Sequence, residues 1–174
     1  KESGDNVIVT GAPDFEAIFS RTNGTLSSLS TRSGNLLAPP SASATDAPAG
    51  PTLQLYRAPT NNDRGFGRWF NRDWEKAGLN AVTRRVESFA VSQPAPGGPV
   101  RIEILATSSI PKGAFSHRAV WTIHPDFSIR IENTFTPSGE WPTLPRIGLT
   151  FRLAGEYKIL RWYGRGPFQN YPGR

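Results

Sequence analysis

The chain has 174 residues, 37% hydrophobic and 20% charged, with ten Phe, five Trp and four Tyr. That content excludes a disordered tail and is enough for one domain with its own core. Cys is absent and only two His occur, His117 and His124. Disulfides, thiolate zinc sites and cysteine nucleophiles are thereby excluded, and a histidine-rich metal site has too few ligands. Neither His lies near a G-x-S-x-G nucleophile motif, so the chain alone is a poor candidate for an enzyme.

The net charge of +6 is concentrated in two stretches. Residues 57–85 carry seven Lys/Arg against three Asp/Glu, and residues 140–174 carry six against two. Such clusters suit phosphate, an acidic partner surface, or an ordinary solvated face. No nucleic-acid-binding motif accompanies them, so no nucleic-acid partner is expected. No apolar run approaches the roughly 18 residues of a membrane-spanning helix, and no membrane partner is expected. The sequence opens Lys1-Glu2-Ser3-Gly4 and contains no Met, which reads as a piece of a longer protein without a legible compartment signal.

Seventeen Gly and sixteen Pro make a turn-rich chain, and turns at that density accompany strands. Val7-Ile8-Val9 reads as a strand, and Phe15, Ala17 and Phe19 share one face of the next. Asn23-Gly24 signals a hairpin because both residues tolerate positive φ. Leu26 and Leu29 follow, then a turn at Ser33-Gly34-Asn35 and a short apolar Leu36-Leu37. Residues 38–51, small and rich in Pro, Ala and Ser, read as a surface loop within one domain. A helix is predicted over 68–77, where Trp69, Asp73, Trp74 and Ala77 fall at helical spacings and Gly78 is placed to stop it.

Beyond it, strands are predicted at 81–91, 100–107, 118–124, 127–135, 147–153 and 157–163. The clearest alternation lies in Val100-Arg101-Ile102-Glu103-Ile104 and in residues 127–133. Residues 93–99 read as an exposed loop, and His124-Pro125-Asp126 as a tight hairpin connection. The sum is an all-β antiparallel sandwich over 1–174 with one short helix.

Two segments are more specific than generic β structure. Leu55-Tyr56-Arg57-Ala58-Pro59-Thr60-Asn61-Asn62-Asp63-Arg64-Gly65 is a strand end followed by an Asx-rich turn, a type that fixes its own backbone. Trp162-Tyr163-Gly164-Arg165-Gly166-Pro167-Phe168-Gln169-Asn170-Tyr171-Pro172-Gly173-Arg174 is a rigid turn displaying rings and amides. Both resemble the C-terminal large domain of glycoside hydrolase family 2 β-galactosidases. There the first segment usually reads Trp-Arg-Ala-Pro-Thr-Asp-Asn-Asp and the second Gly-x-Gly-Pro-x-Glu-Asn-Tyr-Pro-Asp-Arg. Thr22-Asn23-Gly24-Thr25-Leu26, Trp74-Glu75-Lys76-Ala77-Gly78-Leu79 and Pro145-Arg146-Ile147-Gly148-Leu149 resemble further pieces of that domain, in the same order.

The resemblance implies a supersandwich of the galactose mutarotase-like kind, here only its N-terminal part. It implies hydrolysis of terminal β-D-galactosides by the full enzyme, with both catalytic Glu on a separate barrel domain. It places Mg and Na ions on other domains and no cofactor here. Its implied partners are that barrel, a galactoside and further copies in a homo-oligomer, and its implied compartment is the cytoplasm. Asn61 stands where the family has Asp, Gln169 where it has Glu and Gly173 where it has Asp, so any ion contact through those positions is in doubt.

The residues expected near the sugar or an interface are Arg57, Asn61, Asn62, Asp63, Trp141, Gly148, Asn170 and Tyr171. For Asn61, Asn62 and Asp63 the competing reading is a self-capping turn, and for Asn170 and Tyr171 a structural corner. No catalytic pair is nominated, since Glu87, Glu103 and Glu132 read as solvated strand exteriors. Trp69, Trp74, Trp121 and Trp162 are expected in the core, with Trp141 as the exposed ring. The alternative function is a stand-alone carbohydrate-binding module that stacks sugar on Trp141 and Tyr171.

Overall fold

Turn chemistry and alternation build the first sheet. In the computed structural model, which describes residues 1–39, 48–65, 67 and 69–164, β1 (Glu2–Ser3), β2 (Asn6–Gly11), β3 (Phe15–Ser20), β4 (Thr25–Thr31) and β5 (Gly34–Asn35) pair in sequence order. All pairings are antiparallel. Gly24 closes the β3–β4 turn at φ 54°, and a Cβ there would stand 2.6 Å from Val86 Cγ2. Only glycine lets this hairpin tip approach the second sheet so closely.

The surface loop expected over 38–51 lies largely outside the described residues, at 40–47, and after it come β6 (Thr52–Gln54) and helix α1 (Phe70–Ala77). Gly78 stops the helix in the left-handed conformation at φ 80°, donating its N–H to Glu75 and Trp74 carbonyls. The long strands β7 (Thr83–Ser92), β8 (Val100–Ile110), β9 (Gly113–Ile123) and β10 (Ile129–Gly139) form an antiparallel meander. A final short strand, β11 (Gly148–Thr150), pairs with β6. The architecture is an all-β antiparallel sandwich with one α-helix among the described residues, as the sequence implied.

The two sheets meet through the faces that alternation selects. Phe15, Ala17 and Phe19 of β3 join Ile102, Ile104, Ala119, Trp121 and Ile123 of β8 and β9 in one buried cluster. Each large apolar side chain removed from water in this way contributes about 1.5–3 kcal/mol. On the other face of the meander, Glu103 bonds Arg118 at 2.7 Å and Arg101 at 3.1 Å. Glu132 pairs with Arg130 and Glu87 with Arg85. These exposed pairs contribute little to stability.

The structure corrects several strand limits and the placing of two rings. β8 and β9 extend to Ile110 and back from Gly113, with only Pro111-Lys112 between them. The polar run Thr107-Ser108-Ser109 concealed this, although Ser108 is buried and opposite Phe115. The strand expected over 147–153 shortens to β11. Arg152 donates instead to the Ala49 carbonyl and Ala154 to the Leu36 carbonyl, both at 2.9 Å.

The strand expected over 157–163 does not form. None of the described strands pairs with it, and Ile159, Leu160, Trp162 and Tyr163 stand exposed. An apolar run cannot be a strand without a ladder partner. Trp69 and Trp162 are also exposed rather than in the core, at 46% and 69%. Trp69 precedes the first turn of α1, off its buried face, and carries the Arg72 guanidinium 4.3 Å from its ring centre.

Candidate functional site

β6 runs directly into Leu55, which is buried, and then into the Arg57–Asp63 segment. Pro59 and Thr60 turn the chain into a single 3-10 turn over Asn61–Arg64. Its third residue, Asp63, reaches back to the start: Oδ2 accepts from the Thr60 backbone N–H and from the Thr60 hydroxyl, each at 2.7 Å. Arg57 closes the same carboxylate with a two-pronged contact, Nη1 to Oδ2 at 2.6 Å and Nη2 to Oδ1 at 3.1 Å. Planar guanidinium matched to planar carboxylate fixes direction as well as charge. Asn61 and Asn62 are left exposed on the outside of this locked turn.

Behind the lock stands Trp74 of α1, with the Arg57 guanidinium carbon 5.3 Å from its ring centre. Trp74 is 2% exposed, and its indole N–H donates to the Thr143 carbonyl at 2.8 Å. Tyr56 meets the ring edge-on. Trp74, Leu79 and Ile110 form a second core cluster, against which Tyr56, Trp141 and Leu144 pack. Arg57, Asp63 and Trp141 are thus gathered around one small core. Gly148 joins from β11, facing Gln54, whose amide donates to the Tyr56 carbonyl at 2.6 Å.

Trp141 corrects its expectation. It is half-buried, its ring centre 4.5 Å from that of Phe115, and its N–H donates to the Ser138 carbonyl at 2.9 Å. A Cβ on Gly113 would stand 2.8 Å from this indole, so the small residue makes the seat that draws the ring in. Asn170 and Tyr171, with Gln169 and Gly173, lie outside the described residues. Sequence reasoning missed Thr60 as the partner of Asp63, though Thr-x-x-Asp ahead of a helical turn is a capping pattern that carries that signal.

The electrostatics define what this arrangement can do. The Arg57 guanidinium, and then the Thr60 hydroxyl, hold the Asp63 carboxyl far below the usual carboxylate range. Thr22 and Ser20 lower that of Asp5, Arg118 and Arg101 that of Glu103, and Ser128 that of Asp126. Each is an occupied acceptor and is not poised to give up a proton. Burial pushes the His117 imidazole below its ordinary value, where it bonds Asn133 at 2.9 Å and stacks on Phe135. Among the described residues, no group of three or more His, Cys, Asp or Glu could hold a metal ion.

The lock has a pH signature. Because the folded-state pKa of Asp63 lies below the unfolded value, its stabilisation is fully present above about pH 4 and is lost as pH falls further. Asp63→Asn removes the charge at nearly constant shape, so wild type should exceed the variant in urea midpoint at pH 7, by a margin that narrows from pH 4 to pH 2.5. A margin independent of pH across that interval would refute the lock.

Comparison with known proteins follows the same residues. The family profile described as β-galactosidase small chain matches residues 11–174. The β-galactosidase of Arthrobacter sp. (strain B7) is 34% identical over 145 residues, which is 71% of this chain and 14% of that protein. That of Halalkalibacterium halodurans is 30% identical over 179 residues, covering 98% of this chain and 16% of the relative. That of Priestia megaterium is 28% identical over 172 residues, covering 98% and 15%. The chain therefore spans 14–16% of the length of these relatives. From the strand-to-turn motif at Arg57–Asp63 to the profile that covers nearly all its length, the chain belongs to the β-galactosidase small-chain family.

Proposed function

We propose that this chain is a non-catalytic sandwich segment of a β-galactosidase, shaping the sugar site and the assembly interface of the enzyme. The observation that carries the reading is the Arg57–Asp63–Thr60 lock seated on Trp74, which holds Asn61 and Asn62 outward in fixed geometry. A rigid polar turn of this kind is suited to meeting a neighbouring domain or a sugar hydroxyl without an ordering cost at contact. A retaining glycosidase needs two carboxyl groups about 5–5.5 Å apart, one with a raised pKa. The carboxyls displaced here are displaced downward by Arg, Thr and Ser partners, which supports assigning that pair to a barrel domain elsewhere in the protein. In this proposal Mg and Na ions belong to other domains, and the partners are that barrel, a terminal β-D-galactoside and further copies of the enzyme.

The alternative, a stand-alone carbohydrate-binding module, loses support because Trp141 packs against Phe115. The test is made in the β-galactosidase that carries this chain. Changing Asn61 and Asn62 together to Ala should lower kcat/KM for a nitrophenyl galactoside about tenfold, or ~1.4 kcal/mol in the barrier, or weaken subunit association by sedimentation. The melting temperature should hold. The 174-residue chain alone should not hydrolyse the substrate. Hydrolysis by the isolated chain, or a double variant unchanged in both kinetics and assembly, would overturn the reading.

A further inference from the structure

A cavity of about 560 Å³ opens beside β6, between Thr52–Tyr56, the turn at 79–82 and the hairpin tip at Thr22-Asn23. Its walls combine apolar Leu55 and Leu79 with polar Gln54, Asn80 and Ser108. Among the described residues one charged side chain lines it, Arg84 of β7, and none of those lining it is Asp or Glu. A volume of this size accommodates a monosaccharide-sized ligand.

Arg84 is the unusual group. Its Nη1 donates to the Asn23 carbonyl and its Nη2 to the Gly24 carbonyl, the latter at 3.0 Å, which ties the hairpin tip to the second sheet. Its Nε is buried with no acceptor among the described residues. Burial lowers the pKa of the guanidinium, and no carboxylate among the described residues counters the effect. Arginine keeps its proton nonetheless, so a partly buried cation stands at the cavity, with backbone carbonyls as its acceptors among the described residues. Partial burial of a charge costs free energy, and a ligand that brings the opposite charge offsets part of that cost on binding.

We propose that this cavity binds a small oxyanion, a carboxylate or phosphate, against the Arg84 guanidinium, with the apolar wall at Leu55 and Leu79 taking the body of the ligand. The inference does not rest on the galactosidase reading, because it concerns a charged ligand at Arg84 and not the outward Asn61 and Asn62, although the cavity shares Tyr56 and Leu79 with the second core cluster. Titration calorimetry with inorganic phosphate, galacturonate and neutral galactose tests it. Phosphate or galacturonate should bind saturably with Kd of about 1 mM or tighter, weakening as salt is raised. Phosphate alone would identify a free anion, galacturonate alone a sugar-borne carboxylate, and both together the shared chemistry.

Arg84→Gln should abolish binding. Since that change also loosens the hairpin, Ala81→Trp is the second variant. Ala81 lines the cavity and is exposed, so a ring there fills the space while leaving the guanidinium and the core intact. It should weaken binding at least about tenfold with the thermal midpoint held. No saturable heat with either anion, equal binding of galactose, or full affinity in Ala81→Trp would overturn the proposal.

Discussion

Replacing Trp74 with alanine is expected to cost about 3–5 kcal/mol in equilibrium urea unfolding, the usual range for emptying a buried indole site. The ring is 2% exposed and simultaneously meets Tyr56 edge-on, supports the Arg57 guanidinium and bonds the Thr143 carbonyl. Its removal takes the floor from beneath the Arg57–Asp63 lock, so the turn bearing Asn61 and Asn62 should loosen with it. Trp74→Phe separates the contributions. It keeps most of the apolar contact but leaves the Thr143 carbonyl without its donor, and a loss of about 1–2 kcal/mol is expected. Under the proposed function, the kcat/KM of the full enzyme should fall in the same order, alanine more than phenylalanine. Stability of Trp74→Ala within about 1 kcal/mol of wild type would show that the second core cluster does not hold the turn.

Phe19→Ala should be comparably damaging for a different reason. Phe19 is fully buried and stands edge-on to Trp121 at 5.1 Å, one ring from each sheet. Truncation opens a cavity where the sheets meet, and a loss of about 3–5 kcal/mol is expected. The denaturant slope should stay constant, because the residue joins the two halves of one cooperative unit. Phe151, half-exposed beyond β11, is the matched control, and its alanine variant should change stability by no more than about 0.5 kcal/mol. Equal effects at the two positions would contradict the assignment of the core.

Much of this protein is local chemistry and was therefore readable from the chain. The period-two alternation of Phe15, Ala17 and Phe19 and of Ile102 and Ile104 predicts faces that are indeed buried. Asn23-Gly24 turns and Gly78 stops the helix, because positive φ is a property of the residue type. The motif series from Thr22 to Gly148 carries the family resemblance by itself. Even the self-capping of the Asn61–Asp63 turn lies within four residues, where Thr60 and Asp63 complete each other.

What required the fold is every property that depends on a distant partner. Residues 157–163 look like a strand, but no described strand pairs with them. Thr107-Ser108-Ser109 looks like a break and is the middle of a continuous hairpin, since Phe115 across the ladder holds the register. Trp141 looks exposed beside Pro142 and is drawn inward by Phe115 and the bare Gly113, whereas Trp69 looks buried and lies at the surface. The grip of Arg57 on Asp63 and the seat of both on Trp74 join three segments of chain, and so does the cavity at Arg84. Alternation states which side of a strand is apolar; ladder bonds and burial belong to pairs of segments, and only the assembled sheets determine which segments meet.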